Sequence, residues 1–490
     1  MHKIDENSTR GPHLGSLVKK ALCGGAVLGL VLTMGATLAV AGGKNGAKFH
    51  EFTPVSRIAQ MPVIRYLEGE KAGEINYKAS YDRARDASVA VATYVARLKE
   101  AEMLGSDVIA GIDWKLGGTS EGCIATRSCT DHEIDEAVLM IPSPDFIEPN
   151  NPSSGVKKAN VLDFCNKKYA SLAMGVDPII GSKDDDTGKY VVNGYSHAPA
   201  LPCEVSIWLD DDKIIVDMLN PEAIFTLFFS DVLFSEEMQD KDFAKALSVM
   251  TLDVKKEIKA IIYEALTYSG YEHTVVDQEI GPVYENVGDI VSVVASSTYQ
   301  SPYMHMSYTK KDGGVFTDGE SKGIAQTIID TLSTHEDAPG VHPTVINDEE
   351  DTLDSILSPN SSWRSARIEP ISIPGKNHII EACSPKYAKM AMGTGLSHVN
   401  ALPCEITVNT IDGGEKLVVS YLDPDFMLKS LFADISNKEK KEFGDIPEII
   451  MTDLQNIVKA ALEINSDIEM NPGVQISYDM LPKDDNEDDD

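Results

Sequence analysis

One segment of this chain occurs twice, and any fold must accommodate both copies. The first runs Phe164-Cys165-Asn166-Lys167-Lys168-Tyr169-Ala170-Ser171-Leu172-Ala173-Met174-Gly175, then His197-Ala198-Pro199-Ala200-Leu201-Pro202-Cys203-Glu204-Val205, then Leu219-Asn220-Pro221-Glu222-Ala223. The second reads Ala382-Cys383-Ser384-Pro385-Lys386-Tyr387-Ala388-Lys389-Met390-Ala391-Met392-Gly393, then His398-Val399-Asn400-Ala401-Leu402-Pro403-Cys404-Glu405-Ile406, then Leu422-Asp423-Pro424-Asp425. Cysteine to methionine is nine positions in both copies, and histidine to cysteine is six. Chance does not preserve two spacings and two residue sets together, so the chain is internally duplicated.

At 490 residues the chain exceeds one ordinary hydrophobic core, and two to four domains are expected. Its formal charge of −34 repels nucleic acid and anionic lipid over long range. No basic, aromatic-laced stripe offsets this, and nucleic acid is excluded as a partner. Cations, basic proteins and neutral ligands remain.

Lys19 and Lys20 precede an uncharged run from Ala21 to Ala41, which ends in the small-x-small site Ala39-Val40-Ala41. This reads as a signal peptide over 1–41, cut before Gly42, and places the protein in the periplasm or outside the cell. If uncut, the same run is the chain's one route into a membrane. Cleavage leaves Cys123, Cys129, Cys165, Cys203, Cys383 and Cys404. An even count in an exported protein favours disulfides, and the repeat selects Cys165 with Cys203, Cys383 with Cys404, and therefore Cys123 with Cys129.

Residues 42–74 read as an N-terminal tether. The first repeat domain is expected over 75–270, a linker over 271–299, a second repeat domain over 300–478, and an acidic disordered tail over 479–490. Ile75 to Ala79 reads as a strand, followed by a helix from Asp86 to Met103; the counterparts are Met304 to Tyr308 and a helix from Ser321 to Leu332. Cys203 to Trp208 and Cys404 to Val408 alternate as half-buried strands. They return as Lys213 to Met218 and Lys416 to Tyr421, and lead into helices opening at Pro221 and Pro424. Closing helices run from Leu252 to Leu266 and from Asp453 to Leu462. The run Asp289 to Val294 is read as a linker or an added strand.

Cys165, Met174, His197 and Cys203, and likewise Cys383, Met392, His398 and Cys404, offer thiolates, a thioether and an imidazole. Such a set suits copper(I), and haem iron takes the same ligands axially. Against this, the spacings match no tight metal motif, disulfides would consume the thiols, and helical methionines among alanines usually fill core gaps. No cofactor is therefore preferred over haem or copper. Met304 and Met306 share one strand face and His305 the other, so the three do not share an ion. Glu204 and Glu405 recur just after the cysteine and read as salt-bridged surface positions. Nucleophile-elbow, Walker and dinucleotide glycine motifs are absent, which leaves enzymatic activity undecided.

The Cys-Asn-x-x-Tyr-Ala segment, followed by Leu-Pro-Cys, a strand hairpin and Asn-Pro-Glu-Ala, resembles the domain-of-unknown-function 302 family. Cys165-Asn166 and Leu201-Pro202-Cys203 match its pattern with Lys167 in place of proline. Cys383-Ser384-Pro385 and Leu402-Pro403-Cys404 match with Ser384 in place of asparagine. The resemblance implies two tandem domains of α+β class, each a mainly antiparallel sheet with helices packed on it. It implies no activity. The duplication further suggests that the two repeats pair as an internal pseudo-dimer. The leading functional reading is an exported non-catalytic binding or accessory protein of the bacterial envelope, with a protein partner or a small apolar ligand. The alternatives are a periplasmic redox or soft-metal/haem protein using the repeated Cys/Met/His set, and a structural self-associating envelope protein.

Overall fold

The structure, a computed structural model, describes residues 51–96, 114–116, 130–131, 139–141, 159–166, 194–201, 203–230, 241–285, 287–298, 301–332, 334, 364–370, 377–401 and 404–471. It shows the duplicated α+β architecture: two antiparallel sheets, each flanked by helices. The first sheet contains β1 (Val55–Pro62), β2 (Trp114–Leu116), β3 (Leu139–Ile141), β4 (Ala159–Asn166), β5 (Cys203–Leu209), β6 (Lys213–Leu219) and β7 (Thr274–Ile280). Its order is β2-β4-β5-β6-β1-β7, with β3 also on β4. The second contains β8 (Tyr303–Lys310), β9 (Arg364–Pro370), β10 (Asn377–Cys383), β11 (Cys404–Ile411), β12 (Lys416–Leu422) and β13 (Ile468–Met470), ordered β13-β8-β12-β11-β10-β9. Strand for strand, β1, β4, β5, β6 and β7 correspond to β8, β10, β11, β12 and β13.

The hairpins expected from the alternation are β5–β6 and β11–β12. Each runs into a short helix, Pro221–Leu227 or Pro424–Ser430, opened by the same device. Asn220 or Asp423 caps the helix with its side-chain oxygen, and proline takes the next position, where a missing N–H leaves nothing unpaired. The closing helices begin earlier than expected, at Lys241 and Ile446. In the first, Val254, Ile258, Ile261, Ile262, Ala265 and Leu266 form a buried stripe at helical spacing.

Three local expectations change. The strand matching β8 is β1, which lies between β6 and β7 within the segment read as a tether. Ile75 to Ala79 instead leads into the helix Tyr77–Ala96; the expected helix end at Met103 falls outside the described residues. The run Asp289 to Val294 lies in the helix Val287–Ser296. Ile290 and Val294, one turn apart, are both buried in the core, and that packing outweighs the β-preference of the valines. The region read as a linker also contributes β7.

The larger core crosses from one repeat to the other. It joins Phe228, Phe229 and Ile224 of the first to Tyr303, Phe426, Met427 and Phe432 of the second. A smaller core lies between the second sheet and its helices Asp318–Leu332 and Ile446–Glu463. The 3-10 segments are exchanged. Gly194–Ala200 of the first repeat packs on β8, β11 and β12, and Leu396–Ala401 of the second packs on β4, β5 and β6. Among the described residues, no helix is long and apolar enough to cross a membrane.

Candidate functional site

The repeated histidines lie at the junction between the two repeats. His197, on the exchanged 3-10 segment, is fully buried. Its ring stacks on Phe229 at 4.4 Å between centroids and meets the edge of Tyr303 from the second repeat at 5.3 Å. His398 occupies the matching place. It packs on Phe432, the counterpart of Phe229, at 4.5 Å. Its Nδ1 lies 2.8 Å from the Thr394 hydroxyl and its Nε2 3.2 Å from Asp434. Burial raises the Asp434 carboxyl, but the His398 hydrogen bond and charge outweigh it and hold the group below the usual carboxylate range.

A polar contact pins the junction beside these rings. Arg57 Nε donates to Asp217 Oδ1 at 3.0 Å, and the Ser397 hydroxyl donates across the junction to Asp217 Oδ2 at 3.0 Å. Arg57 also lies 5.4 Å from the centre of the Trp208 ring, close enough for cation–π attraction. Burial pushes the Asp217 carboxyl above its ordinary range despite the opposing pull of Arg57 and Ser397. The register sets Arg57 opposite Asp217 in the first sheet and His305 opposite Ser420 in the second. There the ion pair is replaced by a His305 Nδ1 to Ser420 hydroxyl contact of 2.8 Å.

The acidic positions are not surface residues. Glu204 and Glu405 are 5% and 3% exposed. Glu204 stands opposite Asp163, and Glu405 opposite Glu381, each an equally buried carboxylate on the neighbouring strand. Like charges directly opposite across a sheet repel, so each pair depends on the groups that engage it. The recurrence of Cys-Glu in both copies was the available sequence signal. What it lacked was any sign that this sheet face meets the other repeat rather than water.

Between Glu204 and Glu405 lies a small cavity of about 20 Å³, room for one water or a group of that size. Its twelve lining residues fall into six matching pairs: Pro199/Asn400, Ala200/Ala401, Glu204/Glu405, Leu219/Leu422, Ile224/Met427 and Phe228/Leu431. The two copies of the motif thus surround one shared space.

The metal and disulfide expectations fail. Among the described residues, no group of three His, Cys, Asp or Glu side chains is placed to hold a metal ion, which argues against haem and copper. Met392 belongs to the core, and His398 is held by Thr394 and Asp434; Met174 lies outside the described residues. The backbone register sets neither expected pair opposite one another, which runs against the disulfides. Cys203 aligns with Phe164 rather than Cys165, and Cys404 with Ala382 rather than Cys383. Each expected pair is one position out of step, and consecutive strand positions belong to opposite sheet faces. Cys123 and Cys129 fall outside the described residues. Met304 and Met306 pack against the second core while His305 faces Ser420, as their alternation requires.

No curated protein and no solved structure matches the chain. Residues 371–458, which run from just before β10 into the closing helix of the second repeat, match the family model described as Domain of unknown function DUF302.

Proposed function

We propose that the chain is an exported, non-catalytic binding or accessory protein of the bacterial envelope, built from two tandem domains of this family paired as an internal pseudo-dimer, and that it acts on a protein partner. One observation carries the reading. The recurring histidines and the glutamates after the cysteines lie where the repeats join, and the space left there holds about one water. A space of that size does not favour the small apolar ligand, which leaves the outer surface as the place of recognition. The formal charge of −34 suits a basic partner that is drawn in by long-range attraction and released by salt. Lys19-Lys20, the apolar run to Ala41 and the Ala39-Val40-Ala41 site support export.

The test is expression of the whole chain with its own N-terminus in a Gram-negative host. The steps are osmotic-shock fractionation, intact mass, and in-cell cross-linking at low and high salt. The expected result is a periplasmic chain beginning at Gly42 that forms a salt-sensitive cross-link to an envelope protein. An uncut chain in the cytoplasm overturns the export part. A periplasmic chain cross-linked to nothing but itself overturns the partner part and leaves the self-associating reading.

A further inference from the structure

The two matching helices are capped by side chains that differ at one atom, the Nδ2 of Asn220 against the Oδ2 of Asp423, and Asn220 Nδ2 also donates to Glu279 Oε2 at 3.2 Å. Asn220 N donates to the Pro54 carbonyl at 2.7 Å, and Asp423 N to the Pro302 carbonyl at 2.8 Å. Glu222 N donates to Asn220 Oδ1 at 3.1 Å, and Asp425 N to Asp423 Oδ1 at 3.0 Å. Thr53 and Ser301, the residues before the two prolines, each turn a hydroxyl onto the carbonyl two residues ahead, Val55 or Tyr303. The fourth contact breaks the match. Asn220 Nδ2 donates to the Thr53 carbonyl at 2.8 Å, whereas Asp423 Oδ2, fully buried, has no hydrogen-bond partner. An ionised carboxylate only accepts, while a neutral carboxylic acid has one O–H to donate.

We propose that Asp423 is an acid switch: its carboxyl takes a proton to reproduce the donating contact of Asn220, and loss of that proton loosens the helix Pro424–Ser430 from the junction between the repeats. That helix is well placed to transmit the change. Phe426 meets Phe228 of the first repeat at 5.3 Å, and the Ser430 carbonyl accepts from the Tyr284 hydroxyl at 2.6 Å. The charged groups acting on Asp423 are on the helix it caps. Asp425 opposes its ionisation and Lys429 favours it. On its other side the Pro302 carbonyl accepts from Asp423 N, while the Ser301 hydroxyl is taken up by the Tyr303 backbone. Burial, together with Asp425, raises the Asp423 carboxyl to about 7.

The folded carboxyl therefore binds its proton more tightly than the unfolded one. Its stabilising contact is intact at acidic pH and fades as pH rises from the ordinary carboxylate range, about 4, through about 7. The experiment compares thermal melts of wild type, Asp423→Asn and Asp423→Ala in the full mature chain at pH 4.5 and pH 8. The infrared carboxylic-acid band is read at pH 6. Asp423→Asn is expected to match wild type at pH 4.5 and to exceed its Tm by roughly 5–10 °C at pH 8. A carboxylic-acid band present in wild type should be missing from Asp423→Asn. Asp423→Ala removes the cap itself and should lose stability at both pH values. An Asn variant that shows the same difference from wild type at both pH values, or is less stable at pH 8, overturns the switch, as does an unchanged infrared band.

Discussion

Ser397 of the second repeat donates its hydroxyl to Asp217 of the first at 3.0 Å, on a carboxylate that also holds Arg57. The three groups are unequal. Because burial already pushes the Asp217 carboxyl up against the pull of its partners, the ion pair yields little net stability, and its danger lies in being half removed. Arg57→Ala leaves a buried charge unmatched and should cost about 3–5 kcal/mol. Asp217→Asn keeps an acceptor for Ser397 and should cost about 1 kcal/mol, and Ser397→Ala about 1–2 kcal/mol. Urea unfolding of the single variants and of the Arg57→Ala/Asp217→Asn pair checks this. The double variant should be more stable than the sum of its parts implies.

His197 acts as an aromatic plug. Truncation to Ala removes two ring contacts and opens a space at the centre of the junction, and should cost about 2–4 kcal/mol. His197→Phe retains the stack on Phe229 and should cost less than half as much. Fluorescence-monitored denaturation reads both. Equal losses for Ala and Phe would show that a polar contact of the imidazole, rather than its ring, is what matters.

Asp434 sets an opposite pH signature to that of Asp423. Its carboxyl is held below the usual range by His398, so its contribution is present above the unfolded carboxylate range and is lost as pH falls through the depressed folded value. Asp434→Asn should melt below wild type at neutral pH, and the two curves should converge as acid is added. Melts across a pH series test the direction. A gap that widens in acid would contradict the assignment.

The cysteine register has a direct chemical outcome. Cys165, Cys203, Cys383 and Cys404 should all alkylate in denaturant without reductant, and tryptic mapping should recover each as a modified thiol. Any peptide joining Cys165 to Cys203 or Cys383 to Cys404 would show that the strands slip by one residue in the oxidised protein.

Much of this architecture is legible in the sequence, because period-2 alternation and an Asn/Asp-Pro cap are local signals. They locate the hairpins at Cys203 and Cys404 and the helices at Pro221 and Pro424. The β1 strand was missed because Ser56 and Arg57 carry polar groups that Glu279 of β7 and Asp217 of β6, not water, receive. Alternation reports which residues share a face; it does not report what covers that face. The same limit misplaced Glu204 and Glu405 on the surface. The thiol pairing failed differently: the spacing of Cys165 and Cys203 along the chain is blind to a one-residue offset between strands, and that offset decides whether two sulfurs can meet.

The cavity lined by six matched pairs has a consequence for how such a junction can change over time. Where two identical chains meet, one mutation alters both sides at once, so a charge gained is gained twice and a clash is doubled. With both copies in one chain, each side varies alone. Pro199 has Asn400 as its counterpart, Phe228 has Leu431, and the Arg57–Asp217 ion pair has His305–Ser420. Equivalent positions of the two repeats thus pack differently, while the strands beneath them stay in register.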